Sequence, residues 1–98
     1  MITTKQRAYL RGLGNALDHV AQVGKEGLSE NLITSIDLLL EARELAKIKV
    51  LKNCELSSRT VAEELSKSLN ADVVQVIGTV IILYKNSTRK NFKHIELP

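Results

Sequence analysis

Aromatic rings are nearly missing from this sequence: there is no tryptophan, and Tyr9, Tyr84 and Phe92 complete the class. A sheet that reads single-stranded nucleic acid by stacking bases on exposed rings needs more of them, so that mode is disfavoured. Cysteine occurs once, at Cys54, which excludes an intramolecular disulfide and a cysteine-rich zinc site and fits a reducing cytosol. His19 and His94 stand far apart with no neighbour at ligand spacing, so neither a metal nor another cofactor is expected. No apolar run approaches the roughly 20 residues that span a bilayer, and the first residues carry no apolar signal core; a soluble, cytoplasmic chain is expected. Nucleotide loops are missing too, with no Gly-x-x-x-x-Gly-Lys-Ser/Thr and no Gly-x-Gly-x-x-Gly. Neither a nucleophile beside a base nor a carboxylate pair has a local signature, so the chain does not read as an enzyme.

What remains is ordinary in bulk and uneven in distribution. A chain of 98 residues makes one domain, able to bury about two thirds of its unfolded surface without staples. Hydrophobic residues at 44% and charged residues at 26% place it among globular domains rather than disordered chains. The formal net charge is +3, modest enough that only its placement carries information.

Thr3 followed three residues later by Gln6 predicts a capping box opening a first helix. Ala8, Tyr9, Leu13, Ala16 and Leu17 then recur at helical spacing, with Leu10 at the margin. Lys5, Arg7 and Arg11 meet no acid before Asp18. His19 to Val23 predict a short strand, and a second helix is expected from about Ser29 to Glu44. Its apolar stripe is Leu32, Ile33, Ile36, Leu39 and Leu40, with Glu30, Asp37, Glu41 and Glu44 lining the opposite, solvent-facing side.

From Leu45 the pattern alternates, Ala46, Ile48 and Val50 against Lys47, Lys49 and Leu51, which predicts a second strand with two lysines on one face. Strand, helix and strand in this order imply a parallel crossover. Ser57 or Ser58 caps a third helix reaching about Asn70, with Val61, Ala62, Leu65 and Leu69 as its core stripe. Arg59, Glu63 and Lys67 are four apart and expected to neutralise one another. Val73 to Ile77 and Val80 to Tyr84 flank Gly78-Thr79, the signature of a type II′ hairpin. Lys85, Arg89, Lys90 and Lys93 follow without an acid among them, so residues 86–98 read as a basic tail, mobile up to His94 and with docking open to Ile95-Glu96-Leu97-Pro98. The order predicts an α/β fold, a two-layer sandwich with a mixed four-stranded sheet.

One stretch organises the rest. In Val23-Gly24-Lys25-Glu26-Gly27-Leu28-Ser29 a strand ends, two glycines bracket a Lys-Glu pair, and a helix begins. Such a corner aims unpaired backbone N–H groups and the positive end of the helix dipole at solvent, where a phosphate is favoured. Glycines at both ends let another chain's backbone come within contact distance.

These residues resemble those of a known family. Lys5-Gln6-Arg7-Ala8-Tyr9-Leu10-Arg11, Val23-Gly24-Lys25-Glu26-Gly27-Leu28, Arg43-Glu44-Leu45-Ala46-Lys47-Ile48-Lys49-Val50, Val74-Gln75-Val76-Ile77-Gly78, Leu83-Tyr84-Lys85 and Ile95-Glu96-Leu97-Pro98 stand in the order seen in bacterial single-domain CRM proteins of the YhbY type. CRM denotes chloroplast RNA splicing and ribosome maturation. The resemblance implies a fold similar to the C-terminal domain of translation initiation factor three, RNA binding, and association with precursors of the large (50S) ribosomal subunit. It also implies that Gly24, Lys25, Glu26 and Gly27 contact RNA. Two positions depart from the pattern: Asp18-His19 stands where a proline is common, and Thr79 where a basic residue often follows the late glycine.

Independently of that resemblance, uncompensated cations fall on the first helix, the loop, the second strand and the tail. If these elements meet, they surround the loop with one basic patch suited to structured RNA. The expected RNA-binding residues are Gly24, Lys25, Glu26, Gly27, Lys5, Arg7, Arg11, Lys47 and Lys49, in a monomer; the resemblance implies that the RNA partner is large-subunit ribosomal RNA. The competing expectation is a protein adaptor that offers the edge of its C-terminal hairpin to a partner strand.

Overall fold

The computed structural model describes residues 2–98, and each of its helices begins where a side-chain oxygen replaces a missing backbone acceptor. Thr3 Oγ1 accepts from Gln6 N at 3.1 Å while Gln6 Oε1 accepts from Thr3 N at 3.0 Å, the reciprocal box that opens α1 (Thr4–Asn15). Ser29 Oγ accepts from Leu32 N to open α2 (Glu30–Arg43), and Ser57 Oγ accepts from Thr60 N to open α3 (Ser58–Leu69). Each such cap stabilises its helix by about 1 kcal/mol. Helices α2 and α3 both stop at a left-handed residue, Glu44 at φ 64° and Asn70 at φ 53°.

Four strands, β1 (Ala21–Val23), β2 (Leu45–Val50), β3 (Asp72–Ile77) and β4 (Val80–Tyr84), pair in the order β1-β2-β4-β3. The β1–β2 pair is parallel and the other two are antiparallel, as the crossover and the hairpin require. Gly78 takes φ 56° in the turn between β3 and β4, the positive value that the first position of a type II′ turn demands. Strand β1 is shorter than the sequence predicted: His19 and Val20 lie outside it, although Val20 N still donates to Lys47 O.

Alternation along the strands divides the apolar residues between two faces. Ala46, Ile48, Val50, Ile81 and Leu83 point to one side and are buried with Ile36, Leu40, Val61, Ala62, Leu65 and Leu69 from α2 and α3. Leu45, Val74, Ile82 and Tyr84 point to the other, where they meet Ile2 and Leu10, with Ile95 and Leu97 at the margin. The expected two-layer sandwich is therefore capped by a third layer, α1 with the C-terminal segment. Among the described residues no helix is long and apolar enough to cross a membrane.

The placement of α1 corrects the sequence reading. Leu10, expected at the margin, is completely buried, whereas Tyr9, Leu13 and Leu17 stay exposed. The reason is Gly14: a Cβ there would stand 2.8 Å from Ile82 Cδ1 and Cγ2. The helix seats so close to β4 that its contact stripe narrows to Leu10 and Gly14, one turn apart. Two cations pin it further, with Arg7 Nε donating to Val73 O at 3.2 Å and Lys47 Nζ donating to Leu17 O at 3.0 Å.

The end of α2 corrects it again. Glu44, expected on the solvent side, has no exposed surface; its carboxylate accepts from Ser87 N, Ile95 N and His94 Nδ1 at 2.6–2.7 Å. One turn earlier, Glu41 accepts from Thr88 N and from the hydroxyls of Ser87 and Thr88. Lys85 Nζ bonds Asp37 at 2.9 Å. The acidic side of α2 is the dock of the C-terminal segment, which lies against the domain instead of hanging free.

Candidate nucleic-acid interface

The loop expected to carry function sits where the sequence put it. Strand β1 ends at Val23, Gly27 N closes a turn on Gly24 O at 2.9 Å, and α2 starts after Ser29. Gly27 takes φ 66°, a conformation that costs a residue with a Cβ about 1–2 kcal/mol. At Gly24 a Cβ would only touch Asn53 Oδ1 at 3.4 Å and Leu51 Cδ1 at 3.5 Å, ordinary van der Waals contact, so the fold itself does not demand a glycine there. Lys25 and Glu26 are exposed, and their N–H groups have no acceptor among the described residues. The turn therefore presents free donors at the positive end of the α2 dipole.

The side chains of the loop itself cancel in charge, Lys25 against Glu26, and Glu30 adds an acid in the first turn of α2. The positive excess comes from the strand beside it. Lys49 pairs in register with Gln22, two residues before Gly24. Leu51 N donates to Val23 O, and Cys54 N to Leu51 O, so the turn carrying Lys52 and Asn53 lies alongside the glycine loop. Val50 N donates to Thr79 O, which brings the β3–β4 hairpin turn to the same end of the sheet. Lys52 was not among the expected contacts; its position directly after the alternating strand, in a turn, was the available signal.

The remaining expected cations divide into two kinds. Lys47 and Arg7 lie on the face that α1 covers, and both bond backbone carbonyls across the α1–sheet junction. Lys5 and Arg11 are exposed on α1. Among the described residues none of Lys5, Arg7, Arg11, Lys25, Lys47, Lys49 and Lys52 comes within 4.0 Å of a carboxylate, the ion pairs there belonging to Lys85 and His94. Arg59 and Lys67 do not pair with Glu63 either, against the expectation for α3.

The tail cations do not join this patch. Residues 87–95 are held by Glu41 and Glu44 at the C-terminal end of α2, while the loop precedes its N-terminal end; 14 residues of helix separate them by about 21 Å. The single patch expected from the sequence is thus two regions. Among the described residues no group of three or more His, Cys, Asp or Glu side chains is placed to hold a metal ion.

The carboxylates that hold the tail are displaced from ordinary acidity. Glu41 is lowered to about 2, first by the Thr88 hydroxyl and then by the Thr88 N–H, against the opposing effect of burial. Burial pushes Glu44 up, but the His94 ring and the N–H groups of Ser87 and Ile95 outweigh it, so that its carboxyl lies below the usual range. Tyr84 is raised by burial and by the nearby Glu44 and Asp72 charges.

Comparison with known proteins agrees with this architecture. Over its full length the chain is 48% identical to the probable RNA-binding protein YqeI of Bacillus subtilis, covering all of both chains. It is 31% identical over 97 residues to an RNA-binding protein of Haemophilus influenzae, covering 99% of this chain and 95% of the relative. The solution structure of the hypothetical protein SAV1595 from Staphylococcus aureus, described as a candidate RNA binding protein, superposes with a TM-score of 0.82 at 45% identity, covering both chains completely. Residues 2–85 match the CRS1 / YhbY (CRM) domain, and with the three helices and the mixed sheet in the matching order the chain belongs to the CRM domain family.

Proposed function

We propose that this protein binds folded RNA through the backbone of Gly24, Lys25, Glu26 and Gly27, and that its target is large-subunit ribosomal RNA in precursors of the 50S particle. The observation that carries the reading is the exposed turn at the mouth of α2, with the N–H groups of Lys25 and Glu26 unpaired. Lys25, Lys49 and Lys52 supply charge beside it, while Lys5 and Arg11 are exposed cations on α1, whose first turns lie towards β3 and Pro98. The names of the two relatives given above, a probable RNA-binding protein and an RNA-binding protein, support the ligand class; family membership supports the ribosomal context. With three aromatic residues, recognition rests on shape and phosphate contacts rather than on stacked bases. The protein acts as a cytoplasmic monomer and as a binding factor, not a catalyst.

An adaptor role through the hairpin edge has less support. Strand β3 is an edge, but its register breaks between Val73 and Gln75 and the Val73 carbonyl already accepts from Arg7. Both features blunt an edge as a template for strand addition.

The test is the affinity of Lys25→Glu for a structured fragment of large-subunit ribosomal RNA. A loss of about tenfold is expected, equivalent to ~1.4 kcal/mol, together with a fall of about 0.7–0.9 in the slope of log K against log salt. Unchanged affinity and slope would overturn the assignment. Crosslinking to cellular RNA tests the ribosomal target, large-subunit sequences being expected among the recovered fragments.

A further inference from the structure

The C-terminal segment is tied down at two places and bowed between them. At one end Ser87 N donates to Glu44 Oε2 at 2.6 Å and Thr88 N to Glu41 Oε2 at 2.7 Å. At the other, Ile95 N donates to Glu44 Oε1 at 2.7 Å and His94 Nδ1 to Oε2 at 2.6 Å. Between these anchors the chain turns at Lys90 and Asn91, where Asn91 takes φ 59°, and the Phe92 ring packs on His94 at a centroid distance of 5.4 Å.

Sequestering a carboxylate as completely as Glu44 is costly unless its hydrogen bonds are fully met, and here backbone N–H groups of the tail meet them. The same arrangement decides what the tail's cations do. Arg89, Lys90 and Lys93 ride on the arch, all three exposed. The two acids beneath them are already saturated by N–H and hydroxyl donors, and among the described residues none of the three cations forms an ion pair. Glu96 is the single acid between residues 86 and 98.

From this geometry we infer that the arch at residues 89–93 is a second RNA-backbone site, which grips the same RNA as the glycine loop at a point about 21 Å away, one α2 length. The inference rests on the RNA-binding reading above. Glu41 and Glu44 are its positioning residues: they hold the arch by its backbone and leave its cations facing outward to meet phosphates. The ligand chemistry is a phosphate chain rather than a single anion, because three separated cations with no enclosing cavity recognise spaced charges. Two anchored sites at a fixed separation bind a long rigid ligand more tightly than either site alone.

The experiment uses two RNA hairpins, one with a stem of about 16 base pairs, the span over which a compact domain meets two successive minor grooves, and one a third as long. The variant is Arg89→Ala/Lys90→Ala/Lys93→Ala, whose changes are confined to exposed side chains. For the long stem it is expected to lower affinity by about tenfold or more and to reduce the salt slope by about 2 to 3; for the short stem it changes little. Lys25→Glu is expected to weaken both. Long-stem affinity and slope that survive the triple substitution while Lys25→Glu lowers them overturn the second site alone. An equal loss on both stems overturns the two-point grip, and a wild-type protein that binds neither stem overturns the underlying RNA reading as well.

Discussion

His94 holds its Nδ1 2.6 Å from Oε2 of Glu44, joining the C-terminal segment to the last residue of the α2 turn across 50 positions of sequence. The Glu44 carboxylate is wholly enclosed and reaches three donors of that segment from a left-handed backbone at φ 64°. It is the point at which α2, β2 and the tail are fastened together, since Glu44 O also accepts from Lys85 N.

Removing that carboxylate isolates its contribution. Glu44→Ala keeps the same left-handed strain but leaves the Ser87 and Ile95 N–H groups and the His94 ring without their acceptor. Hydrogen bonds to a charged group contribute about 1.5–3 kcal/mol each, and the tail escapes part of the loss by undocking into water. A destabilisation of roughly 2–4 kcal/mol is expected, read from urea unfolding, with amide exchange at Ser87 and Ile95 accelerated well beyond that in the sheet. An unaltered exchange rate at both amides would show that the segment is held by something else.

Acid should release the same fastening. Glu41, lowered from 4.5 to about 2, and Glu44, also lowered, both bind protons more weakly in the folded chain than in the unfolded one. Their contribution is therefore complete above about pH 4.5 and is lost as pH falls towards about 2. The groups facing them are His94 at Glu44, and Lys85 with its partner Asp37 at Glu41. The urea midpoint should drop across that window, with the tail becoming protease-sensitive first. A midpoint that stays level down to about pH 2 contradicts the depressed acidities.

Two glycines two residues apart in α1, and so on opposite sides of the helix, should respond differently. Nothing lies within 4 Å of a Cβ at Gly12, so Gly12→Ala gains helix propensity and stabilises by about 1 kcal/mol. Gly14→Ala gains the same propensity but drives its methyl to 2.8 Å from the buried Ile82 side chain. Overpacking of that kind costs about 1–3 kcal/mol, so the net effect is neutral to destabilising. Thermal unfolding of the pair checks it, and two equal stabilisations would mean that α1 does not sit on β4 as described.

What could be read from the sequence was local. Thr3 with Gln6, Ser29 and Ser57 announced helix starts because a cap needs only its own neighbours, and Ala46, Ile48 and Val50 announced a buried strand face because alternation is a two-residue rule. The glycine corner was legible for the same reason: its turn and the cap that follows each close within four residues. Leu10 was misjudged because α1 is apolar on two sides, and only the approach allowed by Gly14, facing a residue 68 positions away, decides which side meets the sheet. Lys47 and Arg7 looked like free cations because their partners are backbone carbonyls, which no pattern of side chains reveals. Glu44 was hidden most completely, its acceptors being matched to N–H groups 43 and 51 residues on.

The most direct measurement is an amide chemical-shift titration of the protein with a structured fragment of large-subunit ribosomal RNA. The account predicts that Lys25 and Glu26, whose N–H groups are unpaired in the free protein, shift most strongly, with Gly24 and Gly27 beside them. If those four amides stay still while the outer edge of β3 responds, the loop is only a turn and the claim that it grips the RNA backbone is wrong.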